Sequence, residues 1–217
     1  MTAPAPLEAL IDSGSPTGPL IVLFHGRGSD ERDLFPLGRM LHPDATVVSI
    51  RAPFLAAPWG YGPGYAWYRF MGGNSAEPES FRQGQEAVAA FLASLPARLG
   101  RPATPPILGG FSQGGTTALA SLLRNPGSAR GVIVFSGFLA DDPSVRAAPD
   151  TVARTPIFWG HGTSDLAVPF MAAEAGWATL RAANANLEAH TYRGMAHTIG
   201  NEELADAQAW LEGVLQS

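Results

Sequence analysis

The chain has 217 residues, of which 46% are hydrophobic and 15% charged, with a formal net charge of −5. That is enough apolar material for a large core in one domain, and an acidic balance lacks the basic face that phosphate neutralisation needs, so no nucleic-acid partner is expected. Cysteine is absent and all 14 basic side chains are arginine, which excludes thiol nucleophiles, disulfide frameworks, Schiff-base lysines and P-loop lysines. The first twenty residues show no leader pattern, and the apolar runs are far shorter than a bilayer span. The expectation is a cytoplasmic protein with no membrane span.

Leu20–Phe24 is a continuous apolar run ending at His25-Gly26, the pattern of a strand buried on both faces. Asp30 is read as the cap of a short helix presenting Leu34, Leu37, Met40 and Leu41. Thr46–Ile50 is the next strand. From 52 to 78 glycine, proline and aromatic residues crowd together, which reads as an irregular excursion packing its own side chains. Ser80 and Gln83 form a capping-box pattern for a helix with Phe81, Val88, Phe91, Leu92, Leu95 and Leu99 on one face, bent or ended at Pro96. Strands are expected at Ile107–Phe111, Gly131–Phe135, 156–159 and Leu187–Tyr192, with helices at 116–124 and 169–183. A last helix opens with Asn201 as cap, Glu202 and Glu203 at its positive end, and Leu204, Ala207, Leu211, Val214 and Leu215 at helical spacing. This alternation predicts a mostly parallel central sheet with helices on both faces, its functional residues in loops beyond the carboxyl ends of the strands.

The central chemical signal is Gly110-Phe111-Ser112-Gln113-Gly114, between an apolar strand and a helical pattern. That is the strand–turn–helix setting of a nucleophile elbow, in which small flanking residues let a serine hydroxyl stand clear of the sheet. A glycine-rich turn with a helix-capping serine is the plain alternative. A serine needs a base to take its proton. In α/β-hydrolase order, Ser then acid then His, His197 in the loop after the last strand is preferred over His190, which falls inside a strand pattern. Asp165, past the 156–159 strand in His161-Gly162-Thr163-Ser164-Asp165, is the preferred acid, with Asp141 and Asp142 as alternatives. The oxyanion is assigned to the backbone N–H groups of Gln113 and of Arg27, in the glycine turn after the first strand. Trp59, Tyr61, Trp67, Phe138, Leu139, Leu166 and Val168 are taken as candidate pocket walls.

With these motifs in place, the chain resembles the phospholipase/carboxylesterase family of α/β-hydrolases, which includes acyl-protein thioesterases and small bacterial carboxylesterases. The likeness rests on Leu23-Phe-His25-Gly26-Arg27-Gly28, Arg51-Ala-Pro53, Tyr65-Ala-Trp67, Gly110-Phe-Ser112-Gln-Gly114-Gly115, His161-Gly-Thr-Ser-Asp165 with Val168-Pro169, and Gly194-Met-Ala-His197. It implies a single α/β-hydrolase domain over 1–217 without a large cap. It further implies Ser112 as nucleophile, Asp165 as acid, His197 as base and an oxyanion hole from the Arg27 and Gln113 amides, with no cofactor or metal. A small-molecule ester is the implied substrate, and homodimers are common in the family. Thioesterase-like members often carry Leu where this chain has Arg27, so small to medium esters are expected rather than palmitoylated proteins. A thioesterase or lysophospholipase using the same triad is the runner-up; a non-catalytic ligand-binding protein and a dienelactone-type hydrolase, which usually needs Cys, come after it.

Overall fold

In a computed structural model describing residues 6–102 and 104–216, most of the apolar runs form strands with the expected bounds. Residues 1–5, where the expectation of no leader pattern begins, and positions 103 and 217 of the expected 1–217 domain lie outside the described residues. The strands are β1 (Ala9–Asp12), β2 (Leu20–Phe24), β3 (Thr46–Ile50), β4 (Ile107–Phe111), β5 (Gly131–Phe135), β6 (Ile157–Gly162) and β7 (Leu187–Tyr192). They form one seven-stranded sheet in the order β1-β3-β2-β4-β5-β6-β7. Every neighbouring pair is parallel except β1 with β3. The helices are α1 (Phe35–Leu41), α2 (Pro78–Leu99), α3 (Gln113–Arg124), the single turn α4 (Pro149–Val152), α5 (Phe170–Ala182) and α6 (Asn201–Gln216).

The apolar runs are unbroken because both faces of the sheet are covered. Val22, Phe24, Leu108, Val132, Val134, Ile157 and Trp159 face a core shared with α2, α3 and α5, whereas Ile21, Leu23, Ile107, Ile133, Phe135 and Phe158 face α1 and α6. Each such side chain fully buried is worth about 1.5–3 kcal/mol relative to exposure. No described helix is long and apolar enough to cross a membrane. From β2 the chain passes through α1 to β3 on one side, then through α2 to β4 on the other. The order therefore reverses between β2 and β4, and ligands of open α/β sheets bind at the carboxyl edge of such a crevice.

Several local expectations are corrected. Asp30 does not cap α1: its carboxylate accepts the Arg32 N–H at 2.8 Å, and the helix opens after Leu34 with proline in its first turn. Met40, assigned to the apolar face, is 51% exposed. The cap of α2 is Glu77, which accepts the N–H groups of Glu79 and Ser80, so Ser80 lies inside the first turn. Pro96 does not end α2, because its carbonyl accepts from Gly100 and Arg101 and closes the helix one turn later. The fifth of the expected strands starts at Ile157 and runs on through His161 to Gly162. α6 starts at Asn201 itself, with Gly200 O accepting the Leu204 N–H at 2.9 Å. The 52–78 excursion contains two small antiparallel pairs, Phe54–Leu55 with Tyr65–Ala66 and Phe70–Gly72 with Ser75–Ala76.

Candidate active site

β4 ends on Phe111 and α3 begins on Gln113, so Ser112 alone turns the chain. Its φ of 56° and ψ of −122° lie in a region that costs a non-glycine residue about 1–3 kcal/mol. The flanking glycines are required by space: a Cβ on Gly110 would stand 2.4 Å from the Gly114 carbonyl carbon, and one on Gly114 only 1.9 Å from Phe24 O.

The loop after β7 brings His197 Nε2 to 2.9 Å from Ser112 Oγ, and His197 Nδ1 lies 2.7 Å from Asp165 Oδ2. A carboxylate can only accept, so Nδ1 carries the proton and Nε2 is left to accept the serine O–H. The Phe111 ring supports the imidazole at 4.6 Å between centroids. Asp165 is buried, and its Oδ1 accepts the N–H groups of Ala167 at 2.9 Å and Val168 at 2.8 Å. His161, fully buried, donates from Nε2 to Val168 O at 2.9 Å, and the same atom lies 3.4 Å from Asp165 Oδ2. Desolvation holds the His161 pKa below the usual imidazole value, so it braces the acid as a neutral ring.

The alternatives Asp141, Asp142 and His190 lie outside this triad, as do the histidines His42 and His25. Asp141 joins a short bridge to Ser75, and Asp142 accepts from Ser144 within its own turn. His190 faces Glu188 and Asp206 at 2.8 and 3.3 Å, and His42 accepts the Asp44 N–H. His25, buried at the end of β2, accepts the Ala52 N–H on Nε2 and donates from Nδ1 to Gly26 O at 2.8 Å. Burial lowers its pKa as well, making it a neutral brace for the turn that carries Arg27.

The aromatic excursion is the scaffold behind that turn. Trp67 Nε1 donates to His25 O at 2.9 Å, and Gly28 N–H donates to Tyr65 O at 2.8 Å. The Gln113 side chain accepts the Trp67 N–H and donates to Tyr68 O, both at 2.9 Å. The segments carrying the Arg27 and Gln113 amides are thus tied to one stretch of chain. Sequence reasoning valued Gln113 only for its backbone; nothing local marks a side chain whose partners lie 45 and 46 positions away.

Beside Ser112 and His197 opens a cleft of about 170 Å³. Phe138 and Val168 line it as expected, together with Arg27, Tyr68, Phe70 and Ala167, the last three of which sequence reasoning missed. The remaining candidate walls do not line it. Leu166 is 95% exposed, because the Asp165 carboxylate gathers the N–H groups of Ala167 and Val168 and turns Leu166 outward. Leu139 lies against Gly176 of α5. Trp67 is buried beneath the site against Phe24, and Trp59 packs on Phe54 and Tyr61. Tyr61 sits one layer out, its hydroxyl accepting the Phe70 N–H at 2.9 Å. Among the described residues no group of three His, Asp or Glu side chains is gathered to hold a metal.

Comparison with known proteins places the chain in a family. Residues 6–215 match the family model described as phospholipase/carboxylesterase. A probable carboxylesterase, SOBER1-like, of Arabidopsis thaliana is 39% identical over 109 residues, taking in 50% of this chain and 42% of that protein. The chain thus spans less than half the length of that relative. An acyl-protein thioesterase 1 of Eremothecium gossypii is 27% identical over 100% of this chain and 96% of its own. Among solved structures, esterase PE8 superposes with a TM-score of 0.81 at 30% identity, over 97% of this chain and 100% of that one. The Bacillus cereus carboxylesterase shares the fold at a TM-score of 0.82 and 21% identity, over 96% and 94% of the two chains. By the span of the family match and the fold it shares with these enzymes, the chain is a member of the phospholipase/carboxylesterase family of α/β-hydrolases.

Proposed function

We propose that this protein is a serine carboxylesterase hydrolysing small to medium carboxylic esters through an acyl-enzyme. The observation that carries the reading is the unbroken hydrogen-bond chain from Ser112 through His197 to Asp165. His197 Nε2 takes the hydroxyl proton as Ser112 Oγ attacks the ester carbonyl, and Asp165 stabilises the imidazolium without taking the proton. The tetrahedral oxyanion forms against the Arg27 and Gln113 amides, each such donor typically worth about 2.7–4 kcal/mol. His197 then protonates the leaving alcohol, and water activated in the same way releases the acid. The small cleft, with an arginine on its wall, supports short acyl groups. The acyl-protein thioesterase relative supports the second reading, a thioesterase or lysophospholipase on the same residues. A single domain over 1–217, a cytoplasmic location and homodimerisation belong to the same proposal.

Ser112→Ala is expected to remove roughly 10³-fold or more of p-nitrophenyl acetate turnover with folding retained, and to abolish fluorophosphonate labelling. Comparable turnover in the variant would refute the nucleophile. A profile of p-nitrophenyl esters from acetyl to palmitoyl separates the two readings: decline with chain length supports the carboxylesterase, and a maximum at long chains the thioesterase or lysophospholipase.

A further inference from the structure

Arg27 contributes a side chain as well as an amide. Its guanidinium lies 4.5 Å from the centre of the Tyr61 ring and 5.4 Å from that of Phe70, on the wall of the cleft that holds Ser112 and His197. Stacking uses the faces of a guanidinium and leaves its N–H edge free for in-plane hydrogen bonds. Tyr61 is itself held in place by its hydroxyl on the Phe70 N–H, so the seat is built. Arg51 shows how carboxylates can fill such a seat. It lies over Tyr65 at 4.9 Å, and its N–H edge is filled by Glu31 at 2.6 Å and Glu8 at 2.5 Å. Arg27 has the same aromatic support, yet among the described residues no carboxylate lies within 4.0 Å of it. A cation stacked on two rings in the wall of the cleft that holds the reacting serine, with no carboxylate beside it, is a receptor for an anion on the substrate.

We infer that this cleft selects esters bearing a carboxylate a few bonds from the scissile carbonyl, and that the Arg27 guanidinium binds that carboxylate through its N–H edge. The inference rests on the esterase reading above. The reaction consumes ester and water, breaks the acyl carbon–oxygen bond, and yields the carboxylic acid as its anion, the alcohol and one proton. Because Arg27 is solvent-exposed, screening limits the gain to about tenfold, rising toward a hundredfold where the fork is bidentate.

The test pairs each anionic ester with a neutral isostere. Monomethyl succinate against methyl 4-methylpentanoate places the carboxylate on the acyl side; 2-(butyryloxy)acetate against isobutyl butyrate places it on the alcohol side. In the wild type one anionic ester is expected to exceed its partner in kcat/KM by about tenfold or more, mainly through KM. That advantage should shrink as NaCl is raised from about 20 to about 300 mM. Arg27→Gln should lower the anionic-to-neutral ratio about tenfold whatever it does to absolute rates, with Arg27→Lys recovering part of it. A ratio near one for both pairs in the wild type, or one that Arg27→Gln leaves unchanged, overturns the inference. Failure of the esterase reading shows separately, as no turnover of any of the four esters. Calorimetry of monomethyl succinate on the wild type and Arg27→Gln then decides the receptor alone: Arg27-dependent binding upholds it, and equal or absent binding overturns it.

Discussion

Glu203→Gln should change how stability depends on pH, not just its level. Glu203 sits in the first turn of α6 with 0% exposure, its side chain against Gly160 of β6, where an added Cβ would come within 2.2 Å of Oε1. Gly200 N–H reaches Oε2 at 3.4 Å, and Oε1 has no hydrogen-bond partner among the described residues. Burial, the largest cause, pushes the carboxyl up to about 8 from an ordinary 4.5; the Gly200 N–H opposes the rise and the Asp206 charge adds to it. Between those two values the folded state keeps a proton that the unfolded chain releases. The stability this contributes is therefore complete below 4.5 and is lost as pH rises through about 8. At about 1.4 kcal/mol per pH unit, the whole effect approaches about 5 kcal/mol, an upper figure because ionisation draws in water and relaxes the site. Glutamine cannot ionise, and the cost of burying its amide does not depend on pH. Guanidinium denaturation of both proteins at about pH 5, 7 and 9 should show the variant gaining on the wild type by about 1.4 kcal/mol per unit until the plateau. Parallel stability curves for the two proteins would refute the argument.

Gln113→Ala removes both hydrogen bonds tying α3 to the 65–68 segment and strands the buried Trp67 N–H and Tyr68 carbonyl. A loss of about 2–6 kcal/mol in chemical denaturation is expected, and kcat for p-nitrophenyl acetate should fall more than KM rises, since the oxyanion donors lose their brace. Leu166→Ser should leave stability within about 0.5 kcal/mol and kcat/KM for p-nitrophenyl butyrate unaltered, because the side chain faces solvent. A marked loss of activity there would return Leu166 to the cleft wall.

What could be read from the chain follows from what is local. Strands covered on both faces need unbroken apolar runs, so β2 to β5 were visible with their bounds; β7, a half-buried edge strand, also keeps the expected bounds. The short edge strand Ala9–Asp12 was not, because it exists only through pairing with β3 and carries no alternation of its own. The elbow was legible because crowding at Gly110 and Gly114 excludes any side chain. Glu203 was read as a favourable charge at a helix start, yet it shares a stripe with Ala207, Trp210, Leu211 and Val214, all buried. That spacing was a signal for burial, overridden by the habit of placing carboxylates in water.

Residue types and their order along the chain are enough to name a serine, an acid and a histidine at strand ends, since a parallel sheet delivers those ends to one edge whatever the loops do. Which acid reaches the imidazole, which aromatic rings line the cleft and which arginine stands on its wall are decided only in three dimensions. Each depends on the direction a loop side chain takes, and that direction is set by partners such as Val168 for Asp165, Tyr61 for Arg27 and Trp67 for Gln113. Apart from that first pair, these partners lie tens of residues away, where no local pattern records them.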